Sequence, residues 1–95
     1  MAKQRAAESE ISAALARLPG WTREGETITK EWPLGTFKEA ISFVNKVADL
    51  AEEQNHHPNI LIRYKRVRLT LSSHDVGGIS ERDFALAESV EKIAK

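Results

Sequence analysis

The chain has no cysteine among its 95 residues. That absence removes disulfides, thiolate zinc sites, iron–sulfur centres and thiol nucleophiles together. It also fits a reducing compartment. Neither sign of charge is in excess: 14 Lys and Arg balance 14 Asp and Glu, and the isoelectric point is near 6.8. A neutral chain has no global pull toward nucleic acid or an anionic membrane. No hydrophobic run approaches a membrane span, and Met1–Glu10 is polar and charged, without an apolar stretch of the signal-peptide kind. A cytoplasmic protein is the expectation. Histidine is scarce too, with three residues in all, and their placement is informative. His56 and His57 are adjacent in Glu52-Glu53-Gln54-Asn55-His56-His57-Pro58, and His74 ends a later strand-like run. Imidazole is the side chain whose ordinary pKa lies near neutrality. Concentrating every histidine in two short segments points to one site that moves protons near pH 7.

With 41% hydrophobic and 29% charged residues, the chain reads as one small globular domain over 1–95, with Met1–Ala6 as a frayed end. A domain this size buries a modest share of its surface, and association with a copy is a common remedy. Ile11, Ala14, Leu15 and Leu18 recur at i, i+3, i+4 and i+7, which predicts a helix stopped by Pro19-Gly20. Trp21–Arg23 and Thr27–Trp32 read as strands around a Glu24-Gly25 turn, with Pro33 at a strand end or edge. Thr36-Phe37-Lys38-Glu39 is a capping-box sequence. The helix after it carries Phe37, Ala40, Ile41, Val44, Val47, Ala48 and Ala51 as one apolar stripe, and Asn55 is its expected stop. Pro58 favours an extended His57, so the histidine pair falls where a helix hands over to a strand. Asn59–Tyr64 and Val67–Ser72 alternate on either side of a turn at Lys65-Arg66. His74 shares the parity of Arg68, Thr70 and Ser72, opposite the Leu71 face. Asp75-Val76-Gly77-Gly78 reads as a loop, and Ser80 caps a last helix whose buried face is Leu86, Ala87, Val90, Ile93 and Ala94. Asp83 falls on the core side of that helix, where an acid needs a reason. The fold class is therefore α+β in the order α-β-β-α-β-β-α, a four-stranded antiparallel sheet with three helices packed on one face.

A metal site is poorly supported, because adjacent residues of an extended segment point apart and no histidines stand at i, i+3 or i+4. No metal and no cofactor are expected. General acid–base work suits the histidines better, one imidazole donating while another accepts. The plainer reading of the pair is a polar helix terminus, where the dipole favours His. Ser72 and Ser73 flank His74 only in sequence, and no nucleophile elbow, dinucleotide fingerprint or P-loop is present. Gly77-Gly78 before a helix start could seat a small anion, though a loop that simply turns is the better-supported reading. Glu52 and Asp83 are candidate partners that would orient an imidazole; for Asp83 a helix cap is the rival reading. Trp21 and Trp32 could stack on a flat ring, but a strand tryptophan is ordinarily core. Arg63, Lys65, Arg66 and Arg68 cluster at one hairpin, as a solvated strand face or a nucleic-acid face would.

Those residues resemble the signature of the pterin-4a-carbinolamine dehydratases. The pattern here is Glu52, three residues, His56-His57-Pro58, five residues, Tyr64, nine residues, His74, eight residues, Asp83. Leu18-Pro19-Gly20-Trp21, Leu69-Thr70-Leu71-Ser72 and Ser80-Glu81-Arg82-Asp83 extend the similarity over roughly Ile11–Lys95. Val76 stands where animal members can carry a cysteine. The resemblance implies the same fold, a homodimer or homotetramer, and dehydration of 4a-hydroxytetrahydrobiopterin to quinonoid dihydropterin and water. That reaction recycles the cofactor of aromatic amino acid hydroxylases. By resemblance, His56 and His74 are the main acid–base pair, and His57 chiefly binds the pterin. Glu52 and Asp83 orient the histidines. Pro58, Ser73, Asp75 and Val76 join the substrate-binding set, and Trp21 walls the site. The resemblance also raises a protein-binding alternative, since animal relatives double as dimerisation cofactors of a homeodomain transcription factor. Others, lacking the catalytic histidines, serve in assembly of a carbon-fixing enzyme. The intact histidine set here favours the enzyme, without direct nucleic-acid or membrane binding.

Overall fold

Alternating strands joined by short reversals give two hairpins. In the computed structural model, which describes residues 4–94, β1 (Thr22–Glu24) and β2 (Thr27–Pro33) pair across Gly25-Glu26. Gly25 has φ 63°, a left-handed conformation that glycine adopts without steric cost. β3 (Asn59–Arg63) and β4 (Arg66–Leu71) form the second hairpin, and β4 also pairs with β2. The sheet order is β1-β2-β4-β3, antiparallel throughout. With α1 (Glu8–Ala16), α2 (Phe37–Gln54) and α3 (Glu81–Ile93) the order is α-β-β-α-β-β-α, as expected, and a 3-10 turn at His74–Val76 precedes α3.

Register divides the sheet into two faces. Ile28 pairs with Leu71, Lys30 with Leu69 and Trp32 with Val67. Ile28, Val67, Leu69 and Leu71 are buried under the helices, together with Ile11 and Ala14 of α1, Ala40, Phe43 and Val47 of α2, and Leu86, Ala87 and Val90 of α3. The other face carries Thr27, Thr29, Glu31, Arg68, Thr70 and Ser72. There Glu31 pairs with Arg66 at 2.9 Å and with Arg68 at 3.4 Å, so two of the four clustered cations are answered within the sheet itself.

Four local expectations shift. The first turn is Gly25-Glu26 rather than Glu24-Gly25, so β1 begins at Thr22 and Trp21 precedes it. The second turn is Tyr64-Lys65, one residue earlier than the sequence suggests, because Arg63 pairs with Arg66. Tyr64 takes the left-handed turn position, at φ 56°, with no glycine to mark it. The buried seam of α2 is Ala40, Phe43, Val47 and Ala51, leaving Phe37 and Ala48 exposed. Phe43 is drawn in because its ring packs on Trp32 with centroids 5.1 Å apart. Only the Thr36 half of the capping box forms, its hydroxyl accepting from Glu39 N–H at 3.1 Å, while the Glu39 carboxylate lies against Gly35.

Of the expected frayed end, Met1–Lys3 lie outside the described residues. Beyond them Arg5 pairs with Glu26 at 2.9 Å, and Ala6 N–H donates to Ile79 O at 2.8 Å.

Candidate active site

The chain reverses sharply at the end of α2. Asn55 is left-handed at φ 51°, His56 N–H donates to Ala51 O at 3.0 Å, and Asn55 N–H donates to Glu52 O at 3.3 Å. This paired closure satisfies the last helix carbonyls, and it fixes where the next two side chains go. They diverge. His56 turns inward, 8% exposed, and its Nε2 lies 2.5 Å from Asp83 Oδ1. His57 stays at the surface with Nε2 2.7 Å from Glu52 Oε2. Each adjacent imidazole therefore meets its own carboxylate through Nε2. That leaves Nδ1 as the atom that can exchange a proton with solvent or a ligand.

Asp83 is fully enclosed and serves two purposes. Its Oδ2 accepts from Ser80 N–H at 2.9 Å, closing the capping box of α3, and from Ser73 Oγ at 3.0 Å. Its Oδ1 takes His56. The cap and the imidazole partner, rivals in the sequence, are both made by one side chain. Ser73 Oγ also lies 2.7 Å from Ser80 Oγ. The residue before His74 is thereby tied to the same buried network.

His74 begins the 3-10 turn and is exposed. The turn is held at both ends. Ser73 N–H donates to Gly78 O at 2.8 Å, Gly78 N–H returns to Ser73 O at 3.2 Å, and Arg82 of α3 binds Asp75 at 2.6 Å. The hydrogen bond it donates to Asp75 holds the Arg82 guanidinium above its ordinary pKa, against the opposing effect of burial. The Gly77 and Gly78 amides are spent on His74 O and Ser73 O, so this loop is a closed turn rather than an anion cradle. Neither serine is set against an imidazole: Ser72 Oγ donates to Glu26 O, and Ser73 belongs to the Asp83 network.

His57 and His74 line one cleft on the open face of the sheet, with Thr27, Asn59, Thr70 and Ser72, and its volume is about 80 Å³. The parity of His74 with Thr70 and Ser72 was legible in the sequence. Thr27 was not, since it arrives one step beyond the Ile28–Leu71 pair of two strands far apart in the chain. Asn59 could have been found by its parity with His57. Pro58 is half-buried between them, and Val76 is half-buried in the 3-10 turn. His56 does not line this cleft, nor does Trp21. Trp21 is buried in the core, edge-on to Trp32 with centroids 5.6 Å apart, and its Nε1 donates to Glu91 at 2.8 Å. A larger groove of about 560 Å³ lies between the N-terminal segment, α1 and α3, but no imidazole reaches it. Among the described residues no three His, Asp or Glu converge as a metal requires, and no helix is long and apolar enough to cross a membrane.

The fold and site define a small α+β protein whose ionisable centre is a histidine cleft on the bare side of an antiparallel sheet, backed by a buried Asp–His pair. A sequence profile described as "Pterin 4 alpha carbinolamine dehydratase" matches residues 4–93, and the chain belongs to that family. A relative from Thermomicrobium roseum, provisionally named a pterin-4-alpha-carbinolamine dehydratase, is 47% identical over 87 residues, covering 92% of this chain and 94% of its own. Another from Chloroflexus aurantiacus, with the same provisional name, is 49% identical over 89 residues, covering 94% and 96%. The crystal structure of a transcriptional coactivator/pterin dehydratase from Brucella melitensis superposes with a TM-score of 0.93 at 35% identity, covering 97% of this chain and 100% of the other. A pterin dehydratase-like protein identified as a RuBisCO assembly factor in the alpha-carboxysome is more distant, with a TM-score of 0.67 and 28% identity over 79% of this chain and 89% of the other.

Proposed function

We propose that the protein dehydrates 4a-hydroxytetrahydropterin to quinonoid dihydropterin. In this elimination the C4a–O bond breaks, the N5 lone pair forms C4a=N5, the hydroxyl leaves as water after gaining a proton, and N5–H gives its proton up. The reaction needs an acid at the hydroxyl and a base at the nitrogen, held on a bound ring. The observation that carries the reading is the pair His57 and His74 on one cleft, with His57 oriented by Glu52.

This assigns proton transfer to His57 and His74. Thr27, Asn59, Thr70 and Ser72 supply hydroxyl and amide groups to the ring edge. His56, anchored on Asp83, supports the Ser73–His74 segment from below. The assignment implied by resemblance pairs His56 with His74, and the short Asp83 contact favours it: a buried carboxylate fixes the tautomer and makes Nδ1 the free nitrogen. Turnover of His56→Ala against His57→Ala separates the two. The test of the reaction itself is a dehydration assay on chemically generated 4a-hydroxytetrahydropterin. A rate no higher with protein than without it removes the proposal.

A protein-binding role is the second reading. It is favoured by the similarity to an assembly factor and by apolar side chains on the edge strand. Titration with a pterin discriminates, because a pure scaffold would leave the ligand free.

A further inference from the structure

The hydroxyls of Thr27, Ser72 and Thr70 line the cleft, and each has already given its hydrogen away. Thr27 Oγ1 donates to Glu24 O at 2.8 Å, and Ser72 Oγ donates to Glu26 O at 3.1 Å. Thr70 needs one more step. Its Oγ1 lies 3.2 Å from Thr29 Oγ1, a pair in which either oxygen could donate. Thr29 decides the direction. Its Oγ1 is 2.8 Å from Leu69 O, and a carbonyl only accepts, so the Thr29 hydrogen goes there. Arg68 donates to the same Thr29 oxygen at 3.1 Å. One lone pair is left on that oxygen, and the Thr70 O–H fills it. Thr29 is buried, and Arg68 is braced by Glu31 at 3.4 Å, so the arrangement is fixed from beneath. Thr27, Ser72 and Thr70 thus turn only lone pairs to the cleft.

We propose that Thr29 sets the specificity of the cleft: by fixing Thr70 as an acceptor, it selects a ring that carries N–H over one with a bare nitrogen. The inference deepens the dehydratase reading and rests on the pterin binding that reading requires. 4a-Hydroxytetrahydropterin bears N–H at both N5 and N8, whereas a fully oxidised pterin has a lone pair at each. The sheet sets the cleft groups in rows. Asn59 pairs with Thr70, and the same register continued sets His57 beside Ser72. Successive rows on one face are about 7 Å apart along the strand. N5 and N8 are para to each other across one ring. A histidine at N5 therefore leaves N8–H pointing away from it, along β4 toward Thr70. There an acceptor meets the N–H of the reduced ring and repels the lone pair of the oxidised one. Turning the Thr70 hydrogen into the cleft would take a partner from Thr29 in a buried place. A site built to take an N–H rejects the analogue that lacks it, because its own polar groups are left unpaired. Thr29 does not line the cleft; it is a positioning residue that acts through Thr70.

Calorimetric titration with tetrahydropterin, kept reduced, and with oxidised pterin tests this without need of turnover. The wild type should bind the reduced ring about tenfold more tightly, the scale of one hydrogen bond made or refused. Thr29→Val keeps the shape of the side chain and frees the Thr70 hydroxyl to donate. It should tighten oxidised pterin about tenfold and leave tetrahydropterin unchanged, so that the preference closes. Thr29→Ser should keep the wild-type preference. Thr70→Val should weaken tetrahydropterin alone, again about tenfold, and this variant decides the matter if Thr29→Val does not fold. Equal binding of the two rings by the wild type overturns the proposal. So does a Thr29→Val protein that weakens both ligands alike, as a merely structural threonine would, or a Thr70→Val protein that affects both equally. A wild type that shows the preference without dehydrating its substrate refutes the reaction and leaves this inference standing. One that binds neither ring refutes both.

Discussion

A carboxylate as enclosed as Asp83 is tolerated because both of its oxygens are occupied: His56 on one, Ser73 and Ser80 on the other. Its removal strands His56 Nε2 and the Ser80 amide in a dry place and takes one of two partners from Ser73 Oγ. Asp83→Ala should therefore lower unfolding stability by about 3 kcal/mol, the scale for breaking a buried pair on one side; a denaturant midpoint equal to wild type would contradict the network. The exposed His57 and His74 should behave differently. Alanine at either should leave the fold intact and reduce kcat by about 10²–10⁴-fold, as for a positioned proton-transfer group. Under this assignment His56→Ala acts chiefly through stability. A His56→Ala protein with normal melting but collapsed kcat would restore the His56–His74 pairing implied by family resemblance. Much of the inventory was readable from residue types: a scarce amino acid in two clusters, and an acid on the apolar side of a helix. Which imidazole turns inward was not readable. Parity says that neighbours in an extended segment diverge, but only the closure at Asn55 and the position of α3 decide which one meets Asp83.

The elements that carry these residues were the more legible part, and their errors share a cause. Alternation in β4 and the cap at Ser80 are local patterns, and they emerged as written. The seam of α2 rotated because Phe43 found Trp32, a partner set by sheet register rather than by helix periodicity. The β3–β4 turn moved because pairing register outweighed the usual turn signals, leaving Tyr64 left-handed at φ 56°. A side chain there costs about 1–2 kcal/mol over a right-handed position. The ring recovers little, being 71% exposed with Lys65 Nζ 5.8 Å from its centroid. Tyr64→Gly should therefore raise stability by about 0.5–1 kcal/mol, measured as a higher denaturant midpoint at unchanged slope. A loss of stability would mean that the tyrosine ring has a contact that a lone chain does not display.

At the scale of the molecule, the sheet has one covered face, one bare face and two edges, and the edges differ. β1 is three residues long with burial only in part, and it bears Arg23, which pairs with Glu8. β3 is five residues long and shows Ile60 and Leu61 to solvent. The outer surface of α2 is more polar: Phe37 and Ala48 are exposed on it, but so are Lys38, Glu39, Asn45, Lys46, Asp49, Glu52 and Glu53. Association through β3 rather than α2 is therefore the expected route to an oligomer, and it would extend the sheet while burying the apolar edge. Light scattering at micromolar concentration should give a mass at least twice the 10.6 kDa of the chain. Leu61→Lys should return it to a monomer, because a two-fold at that position sets the two ammonium groups directly opposite each other, where like charges repel. The variant's helical signal and melting should stay close to wild type under dilute conditions, since Leu61 is half-exposed and on the bare face. A Leu61→Lys protein that still scatters as a dimer would move the interface off β3.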